Sequence, residues 1–253
     1  MEVHCLGSGG FHDTETAHTC CFMIPDYGII FDAGSGFFRA PPLVKTEAIN
    51  IFISHGHSDH ICQISHIGRL MESRICQKIR IFAQPEVLMA INVLINPPVS
   101  PFPIVCEAYS LYDGFQIELN DSIDKKPTTV SAFQVEHGKC QCFGFKVVSE
   151  NHSVVYITDS HTTPQSHFLP WIKDVNMIIH DVYYTSEFEE RAQLLGHTTS
   201  TGMAEVCKSI NFNKKLVIMH LNPNPEYHQQ ILDDIKKVVQ DVVLSKDNEV
   251  YTF

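Results

Sequence analysis

The segment from residue 55 to residue 60 places four potential metal ligands within six positions: His55, His57, Asp59 and His60. It directly follows the nearly continuous apolar run 48–54, which predicts a buried strand that ends in a loop facing a cleft. Imidazole nitrogen and carboxylate oxygen suit zinc, and they also suit manganese or iron. A solvated polar turn is the alternative, but burying these groups together without a partner would be costly. The segment therefore predicts a divalent metal site.

The elements that must position this loop are short strands alternating with amphipathic segments. Strands are predicted over residues 2–6, 20–24, 28–32, 48–54, 79–83, 115–119, 129–136, 143–148, 153–158, 175–180 and 215–220. Helices are predicted over residues 61–71, 85–95, 199–209 and 226–239. The four prolines of segment 96–103 predict an irregular surface connection rather than a substrate lid. No linker or repeat divides the chain, so we expect one layered α/β domain over residues 1–253.

The composition of the chain limits the kinds of binding partner and the cellular compartment that we expect. A formal charge of −11 disfavours a broad surface that binds nucleic acid backbones. The nine cysteines are an odd number and are scattered, which is atypical of a secreted disulfide framework. The N-terminus lacks a basic segment followed by an apolar one, and the longest apolar stretch, 87–95, is too short to span a membrane. We therefore expect a cytoplasmic protein with reduced thiols and no membrane partner.

Residues 55–60 match the His-x-His-x-Asp-His signature of the metallo-β-lactamase fold superfamily, and the chain resembles that superfamily over nearly its whole length. Upstream, Leu6-Gly7-Ser8-Gly9-Gly10, His18-Thr19-Cys20-Cys21 and Phe31-Asp32-Ala33-Gly34 look like the opening turn and the next two conserved turns of the family. The resemblance implies an α/β fold, the four-layer αββα metallo-β-lactamase sandwich.

The resemblance also implies two divalent metal ions, with zinc the first expectation and manganese or iron as alternatives. Three further ligands fall on His137, Asp159 and His220, each of which follows a β-rich run and can reach the same edge of a sandwich. Taken alone, a histidine at a strand end is more often a hydrogen-bonded structural residue. The resemblance divides the set as follows: His55, His57 and His137 hold one ion, Asp59, His60 and His220 hold the other, and Asp159 bridges them.

Two later segments resemble the ribonuclease Z and phosphodiesterase branch of the superfamily: Ile178-Ile179-His180-Asp181-Val182-Tyr183-Tyr184 and Gly196-His197-Thr198-Thr199-Ser200. In this branch a histidine protonates the leaving oxygen and an acidic residue orients its ring, roles that fall on His197 and Asp181. The resemblance further implies that a hydroxide activated by the two ions attacks phosphorus while Asp59 helps to orient it. Asp181 stands where ribonuclease Z has Glu. Because the aspartate side chain is one methylene shorter, its carboxylate extends less far towards His197.

The predicted substrate is a small, cyclic or nucleotide phosphodiester. Ribonuclease Z carries a long arm between the third histidine and the bridging aspartate, whereas His137 and Asp159 are only 22 positions apart. This layout is closer to phosphoribosyl cyclic-phosphate phosphodiesterases, and it makes nucleic acid a less expected partner. Three alternatives stay open: a ribonuclease Z-like RNA 3′-end endonuclease, a glyoxalase II-like thioesterase or lactonase, and a non-enzymatic binding protein. A homodimer, common in this branch, and a structural zinc on Cys20 and Cys21, which lack a Cys-x-x-Cys partner, also stay open.

Overall fold

Two seven-stranded β-sheets pack face to face in the computed structural model, which describes residues 1–253. The strands are β1 (Glu2–Gly7), β2 (Cys21–Ile24), β3 (Ile29–Phe31), β4 (Ala48–Phe52), β5 (Lys78–Ala83), β6 (Glu107–Ser110), β7 (Gln116–Leu119), β8 (Thr128–His137), β9 (Cys140–Ser149), β10 (His152–Ile157), β11 (Met177–Asp181), β12 (Lys215–Met219), β13 (Val242–Leu244) and β14 (Val250–Thr252). The α-helices are α1 (Ser58–Ile61), α2 (Pro85–Leu94), α3 (Leu169–Ile172), α4 (Glu189–Leu195), α5 (Ser200–Ser209) and α6 (Glu226–Lys236). None of these helices combines the length and the apolar character needed to cross a membrane.

Each sheet joins an antiparallel half to a parallel half. The first sheet has the order β14-β1-β2-β3-β4-β5-β6, with parallel pairing from β3 to β6. The second has the order β13-β12-β11-β10-β9-β8-β7, with parallel pairing from β10 to β13. Because parallel strands end at the same edge of a sheet, the loops that follow β4, β10 and β12 can meet. These are the loops that carry His55, Asp159 and His220.

Three apolar clusters hold the layers together. The central cluster lies between the sheets and includes the stacked rings of Phe31 and Tyr156, whose centroids are 4.9 Å apart. A second cluster covers the outer face of the first sheet with α1 and α2, and a third covers the second sheet with α3, α5 and α6. Helices therefore lie outside both sheets, and the predicted four-layer αββα sandwich is confirmed.

Most predicted strands are present within one to three residues, but several elements differ from the sequence prediction. The predicted helix 61–71 is instead the short α1 followed by a 3₁₀ helix over Ile64–Ser73. In that segment Ile64, Ile67 and Leu70 are buried at a spacing of three, which matches the three residues per turn of a 3₁₀ helix. The strands β6, β13 and β14 and the helices α3 and α4 were not predicted. The proline segment 96–103 is irregular, as predicted.

Candidate metal centre and active site

The structure brings all seven predicted ligands together at one edge of the sandwich. Their donor atoms form two groups, and within each group every donor lies within 4.8 Å of the others. The groups comprise His55, His57, His137 and Asp159 on one side, and Asp59, His60, His220 and Asp159 on the other. Six of the seven side chains are buried, and His57 alone is exposed, at the floor of a cleft.

In the first group, one ring nitrogen of each histidine faces a ring nitrogen of another histidine. His55 Nε2 lies 2.9 Å from His57 Nδ1, which lies 3.4 Å from His137 Nε2. One carboxylate oxygen of Asp159, Oδ2, is 3.6 Å from His137 Nε2 and 3.8 Å from His55 Nε2. The four donors thus surround a common point.

The second group has the same construction around the other oxygen of Asp159. Asp159 Oδ1 is 3.1 Å from His220 Nε2 and 3.3 Å from His60 Nε2. Asp59 Oδ2 is 3.1 Å from His60 Nε2 and 3.3 Å from His220 Nε2. Asp159 therefore directs one oxygen at each group, which is the arrangement that a bridging ligand requires.

These donor sets fit two divalent cations. Ligands about 2.0–2.1 Å from a tetrahedral zinc lie about 3.3 Å from each other, close to the separations in both groups. His60 Nε2 is buried with two carboxylate oxygens 3.1 Å and 3.3 Å away but forms no hydrogen bond of normal geometry with either, as expected of an atom that a cation would engage. Burial raises the pKa of Asp159, but the surrounding histidines lower it well below its usual range, so the carboxylate is ionised. The same balance between burial and histidines lowers the pKa of Asp59.

Asp32 supports the second group from behind. It is fully buried, and its carboxylate accepts hydrogen bonds from the Ser54 backbone N–H, from the Ser54 hydroxyl and from the Tyr156 hydroxyl. Its Oδ2 also lies 2.9 Å from His60 Nδ1, which fixes the ring so that Nε2 faces the cation position. In metal sites, a carboxylate often accepts a hydrogen bond from the second ring nitrogen of a ligating histidine, which orients the ring and raises its basicity.

Three of these strand-end residues have left-handed backbone conformations. The φ angles are +57° at Asp32, +39° at Asp159 and +55° at His220. Residues other than glycine rarely adopt such angles, although Asp, Asn and His tolerate them best. Each of the three lies one or two residues after the end of its strand, and its turn directs the side chain towards the centre.

His197 and Asp181 form a charged pair beside the two groups. His197 Nδ1 lies 2.8 Å from Asp181 Oδ2, and the carboxylate is fully buried. Burial lowers the pKa of His197, but the Asp181 carboxylate outweighs that effect and raises it to about 9. The shorter aspartate therefore reaches the ring. The His197 ring stacks on Tyr183, with centroids 4.8 Å apart, and on His220 at 5.4 Å.

The loop that carries His197 is tied directly to a predicted ligand. The carbonyl of Gly196 lies 3.0 Å from His137 Nδ1, so the ring donates there and directs Nε2 towards the first group. Gly196 has φ +75°, and a Cβ at this position would lie 2.6 Å from His137 Cα. Only glycine fits this contact, which couples the position of the proton-bearing histidine to that of a ligand.

Comparison with known proteins agrees with this construction. The family model described as beta-lactamase superfamily domain matches residues 27–221. The chain belongs to the beta-lactamase superfamily. Membership of this superfamily implies that the chain binds divalent metal ions and that it is a metal-dependent hydrolase.

Individual relatives cover almost the whole chain at low identity. The ribonuclease Z of Methanosarcina acetivorans is 22% identical, over 98% of this chain and 96% of its own. Among solved structures, the metallo-β-lactamase fold protein YhfI from Bacillus subtilis superposes with a TM-score of 0.78, 16% identity and 99% coverage of both chains. A diphosphatase from the PhnP family gives a TM-score of 0.73 and 14% identity, over 100% of this chain and 97% of that one.

The cleft over the centre has a volume of about 470 Å³ and includes side chains that the sequence did not single out. Phe11 and Leu195 form exposed apolar walls, Tyr183 lies against His197, and Arg191 supplies a positive charge. Burial raises the pKa of Tyr183 to about 12, so its hydroxyl keeps its proton. No local motif marks Phe11, Arg191 or Leu195, whereas Tyr183 lies within the segment 178–184 that resembles the ribonuclease Z branch.

The remaining residues discussed from sequence lie outside the cleft lining. Cys20 and Cys21 are buried, and neither belongs to a group of potential metal ligands. The Cys20 thiol donates to the Gly9 carbonyl at 3.2 Å. His161, two residues after Asp159, also lies outside this lining, and its Nε2 is 3.0 Å from Oε1 of Glu189, the first residue of α4.

Proposed function

We propose that this protein is a dinuclear metal-dependent phosphodiesterase that acts on a small, cyclic or nucleotide phosphodiester. The observation that carries the proposal is the His197–Asp181 pair, 2.8 Å long, beside two adjacent groups of metal ligands. A histidine with a pKa of about 9 is protonated at neutral pH and can donate its proton. Thioester hydrolysis needs such a donor less, since a thiolate is a better leaving group, whereas an alkoxide leaving phosphorus requires it.

Each residue of the centre has a distinct role in this proposal. Two divalent ions, zinc being the proposed identity, supply Lewis acidity and lower the pKa of water towards neutrality. Asp59 presents a carboxylate at the cleft floor, where it accepts a hydrogen bond from the attacking water and orients it. His197 Nδ1 stays bound to Asp181, so Nε2 is the atom that gives its proton to the leaving oxygen. Asp181 is fully buried and orients the ring without contacting substrate.

The size of the site favours a small substrate. Sites for small molecules usually have volumes of about 300–1,000 Å³, and the cleft of about 470 Å³ falls in this range. Only the hairpin of β9 and β10 separates His137 from Asp159, so no arm extends from this position to grip a folded RNA. The formal charge of −11 also favours a small phosphodiester over a polynucleotide.

A second candidate function is RNA 3′-end cleavage. The observation that favours it is that the relative from Methanosarcina acetivorans, aligned over 98% of this chain, is named ribonuclease Z. A transfer RNA precursor with a 3′ extension distinguishes the two candidates. Cleavage of the precursor at a rate well above that of small phosphodiesters would favour the endonuclease and would overturn the small-substrate proposal.

The direct test is a parallel assay of purified protein reconstituted with zinc or manganese. We expect hydrolysis of bis(4-nitrophenyl) phosphate, with much slower turnover of a thioester and a lactone. His66→Ala is a matched control, because His66 is exposed and lies outside the cleft. Activity on the acyl substrates alone would instead identify a thioesterase or lactonase. A metal-loaded protein without any hydrolytic activity would favour a binding protein.

A further inference from the structure

The loop 8–18, which follows β1, carries Phe11 into the lining of the cleft. The Phe11 side chain is 68% exposed, and its ring pairs only with that of His12 in the same loop, with centroids 6.0 Å apart. A ring that is so exposed is not fixed by packing. The position of Phe11 at the cleft wall therefore depends on how the backbone of the loop is anchored.

One carboxylate binds both ends of this loop. Asp247, between β13 and β14, accepts hydrogen bonds at Oδ1 from the Ser8 backbone N–H at 2.9 Å and from the Ser8 hydroxyl at 2.8 Å. Its other oxygen, Oδ2, accepts a hydrogen bond from the His18 backbone N–H at 2.9 Å. The ends are also joined to each other, since the Gly9 N–H donates to the His18 carbonyl at 2.8 Å. Asp247 thus closes the base of the loop.

Arg39 fixes the Asp247 carboxylate in turn. Its Nη1 lies 3.0 Å from Asp247 Oδ2 and also donates to the Leu6 carbonyl at 2.6 Å. The side chains of Arg39 and Asp247 are only 18% and 8% exposed, so solvent screens their charges little. Hydrogen bonds to an ionised carboxylate are stronger than those between neutral groups. The anchor is therefore stronger than an ordinary polar contact of a surface loop.

Other side chains hold other parts of the loop. The hydroxyl of Ser35 contacts the Asp13 carboxylate, in the half of the loop that follows Phe11. In the half that leads to Phe11, the Cys20 thiol is a weak hydrogen-bond donor, and the charged partner is Asp247. The placement of the Phe11 ring thus depends mainly on the Asp247 carboxylate.

A backbone contact joins the base of the loop to the metal centre. The Gly10 N–H donates to the carbonyl of Leu221 at 3.1 Å, and Leu221 directly follows His220. This hydrogen bond does not involve the Asp247 side chain. Loss of the Asp247 carboxylate should therefore displace Phe11 while the ligand groups keep their positions.

We propose that Asp247 is a positioning residue for substrate binding, which holds the loop 8–18 so that Phe11 covers the organic group of a phosphodiester bound in the cleft. Asp247 itself lies outside the cleft lining and acts through the loop. The inference rests on the proposed function, because that function places the phosphodiester over the metal centre. Phe11 then contributes an apolar contact to binding and takes no part in the chemical step.

The expected signature is a rise in KM for bis(4-nitrophenyl) phosphate without a matching fall in kcat. Phe11→Ala should raise KM about three- to tenfold, which is the size of one aromatic contact with an aryl group of the substrate. Asp247→Asn should raise KM to a similar extent, because it removes the charge that Arg39 and both ends of the loop bind. Ser8→Ala removes one hydroxyl contact and should give a smaller rise. Metal content should stay at the wild-type level in all three variants.

A double variant tests whether Asp247 acts through Phe11. In the Phe11→Ala background, Asp247→Asn should add little to KM, since the ring that it positions is absent. Asp121→Asn is a matched control: Asp121 Oδ2 lies 2.6 Å from Arg80 Nη1, both side chains are about as buried as Arg39, and the pair lies outside the cleft. We expect this control to lower the unfolding temperature, as Asp247→Asn does, but to leave KM unchanged.

The outcomes separate the inference from the proposed function. If the wild type hydrolyses the phosphodiester but Asp247→Asn leaves KM unchanged, the inference is wrong and the phosphodiesterase proposal stands. Effects of Asp247→Asn and Phe11→Ala that multiply, or a loss of metal or kcat in Asp247→Asn, would also overturn the inference. If Asp247→Asn does not fold, Ser8→Ala carries the same test, alone and combined with Phe11→Ala. If the wild type turns over acyl substrates alone, the proposed function and the inference fall together.

Discussion

Replacing Asp181 with asparagine tests the proton-donor pair in a way that gives a distinct pH signature. The variant keeps the shape of the side chain but removes the negative charge 2.8 Å from His197 Nδ1. That charge is what raises the pKa of His197 to about 9 against the effect of burial. Without it, the pKa of the ring should return to its ordinary value of about 6.5 or fall below it.

The size of the effect follows from the fraction of His197 that carries a proton. At pH 8 a group with a pKa of about 9 is about 90% protonated, whereas one with a pKa of about 6.5 is about 3% protonated. Asp181→Asn should therefore lower kcat about 30-fold at pH 8 but only about 1.3-fold at pH 6. In the wild type, activity should fall as the pH rises through about 9, and in the variant this falling limb should move to about 6.5 or lower.

The assay compares two phosphodiesters over this pH range. One has an alkyl leaving group, which needs a proton, and the other has a 4-nitrophenyl leaving group, which departs without one. Only the first should show the shift in the falling limb. Asp241→Asn is a matched control, because Asp241 is an exposed aspartate paired with Lys215 far from the cleft. Metal content, measured in parallel, separates loss of the proton donor from loss of an ion.

A loss of activity that is equal at pH 6 and pH 8 would refute this reasoning. So would a falling limb that stays at the wild-type position in Asp181→Asn. Either result would show that His197 does not act as the acid whose charge Asp181 maintains.

Four further predictions follow from the same contacts. His197→Ala should lower kcat on an alkyl phosphodiester about 100- to 10,000-fold with metal content unchanged, measured by steady-state kinetics and elemental analysis. Asp32→Asn should weaken metal affinity about 10- to 100-fold through His60, measured by competition with a chromogenic chelator; unchanged affinity would contradict the role of Asp32. Gly196→Ala should lower the midpoint of thermal unfolding by several degrees, since a Cβ there would meet the backbone of His137; an unchanged midpoint would count against this contact. Chelation should abolish activity and lower the unfolding temperature, and added zinc or manganese should restore both.

The seven side chains predicted as ligands lie together in the structure, and they were found in two ways. Four of them occur within residues 55–60, where the residue types and spacing are visible in the chain, whereas His137, Asp159 and His220 were assigned through the superfamily resemblance. The strands of the sandwich interior were predicted from the chain itself, since their residues are buried on both faces and form apolar runs.

The elements that were missed give weak local signals. The strand β6 is exposed along its length, and β13 and β14 have only three residues each at sheet edges, so none forms an apolar run long enough to predict a strand. The helix α4 has one buried residue, Ala192, and two exposed leucines. Periodicity cannot reveal a helix that buries so little.

The cleft wall and the supports of the centre depend on contacts between distant segments. Asp32 is 28 residues from His60 and 124 from Tyr156, yet it contacts both. Phe11 lies in the loop after β1 and Arg191 lies on α4, 180 residues later, yet both line the cleft. Such pairs arise from the packing of the two sheets, so hydrophobic patterning alone gives no sign of them.

The left-handed turns at Asp32, Asp159 and His220 imply a conflict between folding and chemistry at the centre. Each turn costs free energy that glycine would avoid, about 1–2 kcal/mol for a residue with a Cβ. Glycine has no donor atom, so the chain retains strained backbone where it needs a side chain. We therefore expect the apoprotein to be less stable than the same sandwich without these turns, and we expect divalent cations to offset that deficit when they bind.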